Sequence, residues 1–183
     1  MRTIIPQASN PALREMAQPI PLADITGKKI QTLITDMRQL LAAEPNGVAI
    51  AASQVGEPLQ LFVVSGRALS ERKKNASEVQ ASESADARPT EPDQIYINPV
   101  FMKLSRGKKE KHEGCLSIRG YWGMVPRAEK ATIRAYDEQG KVFTRGASGF
   151  LAHIFQHEMD HLNAILYTDK ATKLYEEKDT ADE

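Results

Sequence analysis

Residues 149–169 read GFLAHIFQHEMDHLNAILYTD, and within them His157-Glu158-Met159-Asp160-His161 forms an H-E-x-x-H run. A helix turns once every 3.6 residues, so positions four apart share a face one turn from each other. The imidazoles of His157 and His161 can therefore reach one ion. Glu158, rotated by about 100°, suits a base acting on water at that ion better than a third ligand. The competing reading is a solvated helix face. Against it, Phe150, Leu151, Ile154, Phe155 and Leu162 make the segment apolar around the motif, which predicts a buried helix from Gly149 to Asn163. Buried histidines and a buried carboxylate need partners, and an ion supplies them. A ladder of three histidines would set its first member about 12 Å along the axis from its last. His153 is accordingly read as a pocket-wall or hydrogen-bonded residue and His112 as a polar strand or surface residue, while Gln156 and Asp160 read either as side chains that orient the ligands or as plain helix-surface hydrogen-bonding residues.

The motif leaves its third ligand open. No third histidine follows at the H-x-x-G-x-x-H spacing, since Leu162, Asn163, Ala164, Ile165, Leu166 and Tyr167 come next. Downstream carboxylates occur only in the charged C-terminal stretch. Upstream, H-E-G-C-L-S (residues 112–117) holds the single cysteine, Cys115. Taken alone, a cysteine beside a glycine reads as a small core residue.

Working outward, 183 residues suffice for one domain with a real core, expected over residues 1–168. Residues 66–93 are poor in large apolar side chains and read as a surface insertion, and residues 169–183 as a short charged tail. Lys plus Arg (24) equals Asp plus Glu (24), so no global field points to nucleic acid or an acidic membrane surface. The opening residues lack a signal-peptide core and no run is long enough to span a bilayer. A single cysteine cannot form an internal disulfide and fits a reducing cytoplasm. Ile30, Leu33, Ile34, Met37, Leu40 and Leu41 define one face of a helix from Thr26 to Ala43, stopped by Glu44-Pro45-Asn46-Gly47. Strands are expected at Leu59 to Val64, Ile95 to Asn98, Lys111 to Cys115, Ala131 to Tyr136 and Val142 to Thr144. A helix, several strands and a last helix make an α+β pattern.

Three separated segments, G-V-A-I-A-A-S-Q (Gly47 to Gln54), E-G-C-L-S (Glu113 to Ser117) and Q-H-E-M-D-H (Gln156 to His161), resemble the three motifs of bacterial peptide deformylases, in that family's order. N-P-A-L-R near the start, I-N-P at Ile97 to Pro99, V-P-R-A-E-K at Val125 to Lys130 and D-H-L-N-A-I-L-Y extend the likeness over nearly the whole chain. The resemblance implies antiparallel and mixed sheets packed around a central helix carrying H-E-x-x-H. It implies Cys115, His157 and His161 as ligands of one ion per chain, with Glu158 as proton carrier. The Gln54 amide and the Leu116 N–H would stabilise an oxyanion. Zinc suits a thiolate with two imidazoles; the resemblance implies ferrous iron, with nickel, cobalt or zinc able to replace it. The implied reaction removes the formyl group from N-terminal formylmethionine of nascent chains.

Gly47, Val48, Ala49, Ile50, Glu113, Gly114 and Ile154 are the expected substrate-binding set, small enough in part for a peptide to pair with the backbone. The chain departs from the family at Ala49 and Ala164, where glycine is common, and at Trp122, where many relatives carry arginine. Six acidic residues against three lysines after Thr168 leave the tail unsuited to ribosomal phosphate, and neither direct nucleic-acid nor membrane contact is expected. Two other readings stand beside this one: a silent deformylase-like peptide binder with a structural metal, and an H-E-x-x-H endoprotease with a carboxylate third ligand.

Overall fold

The computed structural model describes residues 2–69 and 91–176. Most of the segment expected as an insertion, and residues 177–183 of the expected tail, lie outside the described residues.

Helix α1 (Lys28–Ala43) forms where the apolar periodicity requires it, and Ile30, Leu33, Ile34, Met37 and Leu41 are its buried stripe. They pack on one face of a five-stranded sheet whose strands are β1 (Ala49–Ala51), β2 (Leu61–Val64), β3 (Gln94–Leu104), β6 (Lys130–Tyr136) and β7 (Val142–Ser148), in the order β1-β2-β3-β6-β7. All the pairings are antiparallel. Helix α2 (Gly149–Leu162) covers the opposite face. The period-two alternation of strands sorts the side chains between the two helices. Ile50, Leu61, Val63, Ile95 and Ile97 join α1, while Ala49, Ala51, Phe62, Val64 and Tyr96 join Leu151, Ile154 and Phe155 of α2. Small residues of β1 on the α2 side let that helix lie close to the strand. Behind them Phe62 stacks on Tyr96 with ring centroids 4.6 Å apart, and Phe155 meets the edge of Tyr96 at 5.1 Å.

A second sheet, ordered β4-β5-β8, contains β4 (Lys108–Cys115), β5 (Ile118–Ala128) and β8 (Lys173–Glu176). The sequence pattern did not reveal β5 or β8. In β5, glycines, Trp122 and Pro126 break any clean alternation, and Pro126 is tolerated because β8 pairs only with Tyr121 to Met124. The expected tail is corrected in its first half. Helix α3 (Tyr167–Lys170) and β8 are ordered, Asp169 accepts from Arg14, and Lys170 donates to Asp160. Backbone pairing of β8 with β5 makes no demand for apolar side chains, so the charged composition hid the strand.

Helix α2 ends with the amides of Asn163, Ala164 and Ile165 turned back onto the Asp160 and His161 carbonyls. Ala164 sits there at φ 60°, the left-handed conformation that normally selects glycine after a helix. Its Cβ costs about 1–2 kcal/mol in that region, and glycine returns about 0.4–1 kcal/mol through the unfolded chain. Ala164→Gly is therefore expected to stabilise the fold by about 0.5–1 kcal/mol, read as a higher urea midpoint at unchanged slope. A lower midpoint would refute the assignment of strain to Ala164.

Candidate metal centre

Two elements bring the ligands together. Cys115 closes β4 just past an irregularity in its pairing with β5, and His157 and His161 stand one turn apart on α2. The Cys115 Sγ lies 3.4 Å from His161 Nε2. Among the described residues these three side chains form one group of potential metal ligands, with donor atoms all within 4.8 Å of one another. The third side chain of this group is the upstream Cys115, and among the described residues no downstream carboxylate enters it. Gly114, beside it, sits at a close approach: a Cβ there would lie 3.0 Å from the Trp122 ring, which would have to give by a few tenths of an ångström. Trp122 in turn stacks on His112, with centroids 4.9 Å apart and planes 6° from parallel.

The donor set fits a borderline divalent ion. One thiol and two imidazoles are three protein ligands of the kind that leave a coordination position open. His157 has its Nδ1 2.9 Å from the Glu113 carboxylate, so its Nε2 is the nitrogen left for an ion. The buried His161 Nδ1 and Glu158 Oε2 have no hydrogen-bond partner among the described residues.

Glu113 is the hinge of the centre's electrostatics. Its Oε1 accepts from Arg127 Nε at 2.6 Å and lies 2.7 Å from His153 Nε2; its Oε2 accepts from Arg127 Nη2 and meets His157 Nδ1, both at 2.9 Å. Burial favours the neutral acid, but these donors outweigh it and hold the carboxyl far below the usual carboxylate range. Arg127, itself buried, also donates to Asp160 at 2.6 Å. Burial disfavours a charged His157, yet Cys115 and Glu113 raise its pKa well above the ordinary value. Burial first, then the neighbouring His157, lowers that of His161.

Burial pushes Glu158 up to about 7, against the pull of His157 and with help from Glu113. A carboxyl whose folded pKa exceeds its ordinary value of 4.5 contributes stability that is complete below that value and is lost as pH rises through 7. In the metal-free protein this amounts to on the order of 3 kcal/mol. Glu158→Gln is expected to match the parent in acid and to become more stable than it by about that amount above neutrality. Urea titrations across this pH range check it; a pH-independent difference would refute the assignment.

Gln54 belongs to a 3-10 turn (Ala52–Val55) that follows β1. Its Oε1 accepts from the Ala51 amide at 2.8 Å, which turns its NH2 toward Cys115 Sγ and Ser117 Oγ, each 3.4 Å away. Leu116 lies in the tight turn between β4 and β5, partly buried against the α1 side of the core.

The expected substrate set is only partly brought together. Gly47 ends the turn after α1, and Val48 and Ile154 pack in the core between β1 and α2. Ala49 is buried on the same side. Ile50 is corrected: its side chain points to α1, away from the metal side, because neighbours in a strand face opposite ways. The Glu113 oxygens are engaged by Arg127, His153 and His157. Asp160 accepts from Arg127, the residue that also holds Glu113. Gln156 instead docks the helix, exchanging hydrogen bonds with the Ala128 backbone at 2.8 and 2.9 Å. Arg127 was missed as a functional residue. Its signal was phase: Gly123, Val125 and Arg127 share the buried side of β5, where a charge demands partners.

The same three donors, glutamate and glutamine are carried by the motifs that resembled a known family, and residues 2–177 match the family model described as polypeptide deformylase. The chain belongs to this family. It is 36% identical to a peptide deformylase of Chloroflexus aurantiacus over 88% of this chain and 81% of the relative. It is 38% identical to peptide deformylase 1 of Bacillus cereus, with 83% of each covered. It spans 59% of the length of the chloroplastic/mitochondrial peptide deformylase 1A of Arabidopsis thaliana, at 36% identity. Among solved structures, a Legionella pneumophila peptide deformylase superposes with a TM-score of 0.73 at 31% identity, covering 94% of this chain and 86% of that one. A class I type b peptide deformylase of Acinetobacter baumannii, bound to Met-Ala-Ser, gives 0.74 at 26% identity over 93% and 99% of the two chains. Peptide deformylases are metal-dependent enzymes, and the α+β fold with its central H-E-x-x-H helix is theirs. Among the described residues no helix is long and apolar enough to cross a membrane.

Proposed function

We propose that this chain hydrolyses the N-formyl group of N-terminal formylmethionine on newly made polypeptides, releasing formate. The observation that carries the reading is a buried glutamate with an unpartnered oxygen, Glu158 Oε2, on the same helix turn as two of the three donors Cys115, His157 and His161. A structural ion needs no such glutamate.

Cys115, His157 and His161 would hold the ion, of which ferrous iron is the proposed native form and zinc, nickel or cobalt substitutes. Bound there, a divalent ion supplies Lewis-acid chemistry, polarising a carbonyl and acidifying water. Glu158 receives a proton as water attacks the formyl carbon, and its raised pKa suits both receiving and returning it near neutrality. The same proton goes to the departing amine as the C–N bond breaks. The Gln54 amide, locked by Ala51, offers its N–H to the developing oxyanion, and the Leu116 N–H is the proposed second donor. β1 is an edge strand of the large sheet, so an extended peptide can add to it. Gly47, Val48, Ala49, Gly114 and Ile154 are the proposed surroundings of that peptide. The Met-Ala-Ser bound by the Acinetobacter baumannii relative has the form of such a product. A thiolate ligand that must stay reduced fits the cytoplasm. The acidic C-terminal stretch argues against docking it on ribosomal phosphate.

The test is formate release from a formyl-Met tripeptide by protein loaded and handled without oxygen, with metal content measured on the same sample. Stoichiometric metal without formate release would refute the reading.

A further inference from the structure

One bond in the centre is required by none of the three ligands. His153 stands one turn before His157 on α2, and its Nε2 lies 2.7 Å from Glu113 Oε1. A carboxylate has about four lone-pair sites. Arg127 takes two of those on Glu113 and His157 takes one, so His153 fills the last. Glu113 pairs through both oxygens with the Arg127 guanidinium, so it accepts here too and the His153 Nε2 carries the hydrogen in this bond. The ring is nearly buried and is braced from the other side by Phe150, edge-on at 5.9 Å.

Position gives the bond its meaning. The three donors come from two elements, Cys115 from β4 and the histidines from α2, and a site of this kind works only while its parts hold to about 0.5 Å. Glu113 sits two residues before Cys115 on β4. Helix α2 grips it twice, through His157 and one turn earlier through His153. The His157 grip ends on a ligand and shifts with that ligand. The His153 grip does not, and with it the strand that carries the thiolate is fixed to the helix that carries the imidazoles.

We propose that His153 is a positioning residue of the metal centre, a strut from α2 to Glu113 that sets the spacing between Cys115 and the His157/His161 pair and holds Glu113 as acceptor for His157. The proposal rests on the reading that these three donors hold an ion. The experiment titrates Co2+ into the metal-free protein against a chromophoric chelator and records the visible spectrum of the bound ion. The parent is compared with His153→Leu, His153→Gln and His153→Asn, after circular dichroism has shown each variant folded. Gln places an N–H donor where the imidazole Nε2 stands; Asn is too short and Leu has none. The Leu and Asn variants should bind Co2+ about 10–100-fold more weakly, with shifted absorption bands. The Gln variant should stay within a few-fold of the parent and keep its spectrum. Parent-like affinity and spectrum in the Leu variant overturn the proposal. So does a Gln variant as weak as Leu, which would make the role one of ring packing. A parent that binds no Co2+ overturns the metal-centre reading itself, and the strut with it.

Discussion

Glu158→Ala is expected to lower kcat for a formyl-Met tripeptide by at least about 10²–10⁴-fold, the range lost when a positioned general base is removed. Metal content should stay stoichiometric, because Glu158 lies outside the group formed by Cys115, His157 and His161. KM should change little if the carboxylate acts on protons rather than on peptide binding. The expectation follows from burial. Glu158 is only 3% exposed and one of its oxygens has no partner among the described residues, an arrangement that destabilises an ionised carboxylate unless the site uses it. Parallel formate release and metal analysis decide the matter. A variant within tenfold of the parent would remove Glu158 from the proton-carrier role.

Cys115→Ser should produce the second large effect, and a different one. The thiolate is the only anionic donor of the three, and a serine hydroxyl remains protonated at neutral pH and binds borderline metals poorly. Affinity is expected to fall by at least about a hundredfold, with loss of the thiolate-to-metal absorption seen with Co2+ and of most formate release. Glu158→Ala should therefore keep metal without turnover, whereas Cys115→Ser should lose both together. A serine variant that retains metal as tightly as the parent would return the third-ligand position to another residue.

How much was legible beforehand depended on whether a contact was local in the chain. The His157/His161 pair and the outward rotation of Glu158 follow from helix geometry, and the apolar residues around them announced burial. The stripe from Ile30 to Leu41 gave α1 within two residues of its observed start. Strands rich in β-branched and aromatic residues, such as β2 and β6, were equally readable. β5 was not, because glycines and Pro126 break its alternation, and β8 was not, because its residues are exposed and show no buried face.

The sequence by itself determined that two imidazoles and a glutamate share one buried helix, and its motif resemblance pointed to the reaction. Those facts need only the turn of a helix and the order of residues. Tertiary structure decided the rest. It placed the Cys115 sulfur 3.4 Å from His161, made Arg127 and His153 partners of Glu113, and turned Ile50 toward α1. Each is a contact between residues far apart in the chain, or a choice of face set by which helix covers which side of the sheet. Such choices are made when the core closes, because buried charges must then find partners and each face of a strand must pack against something.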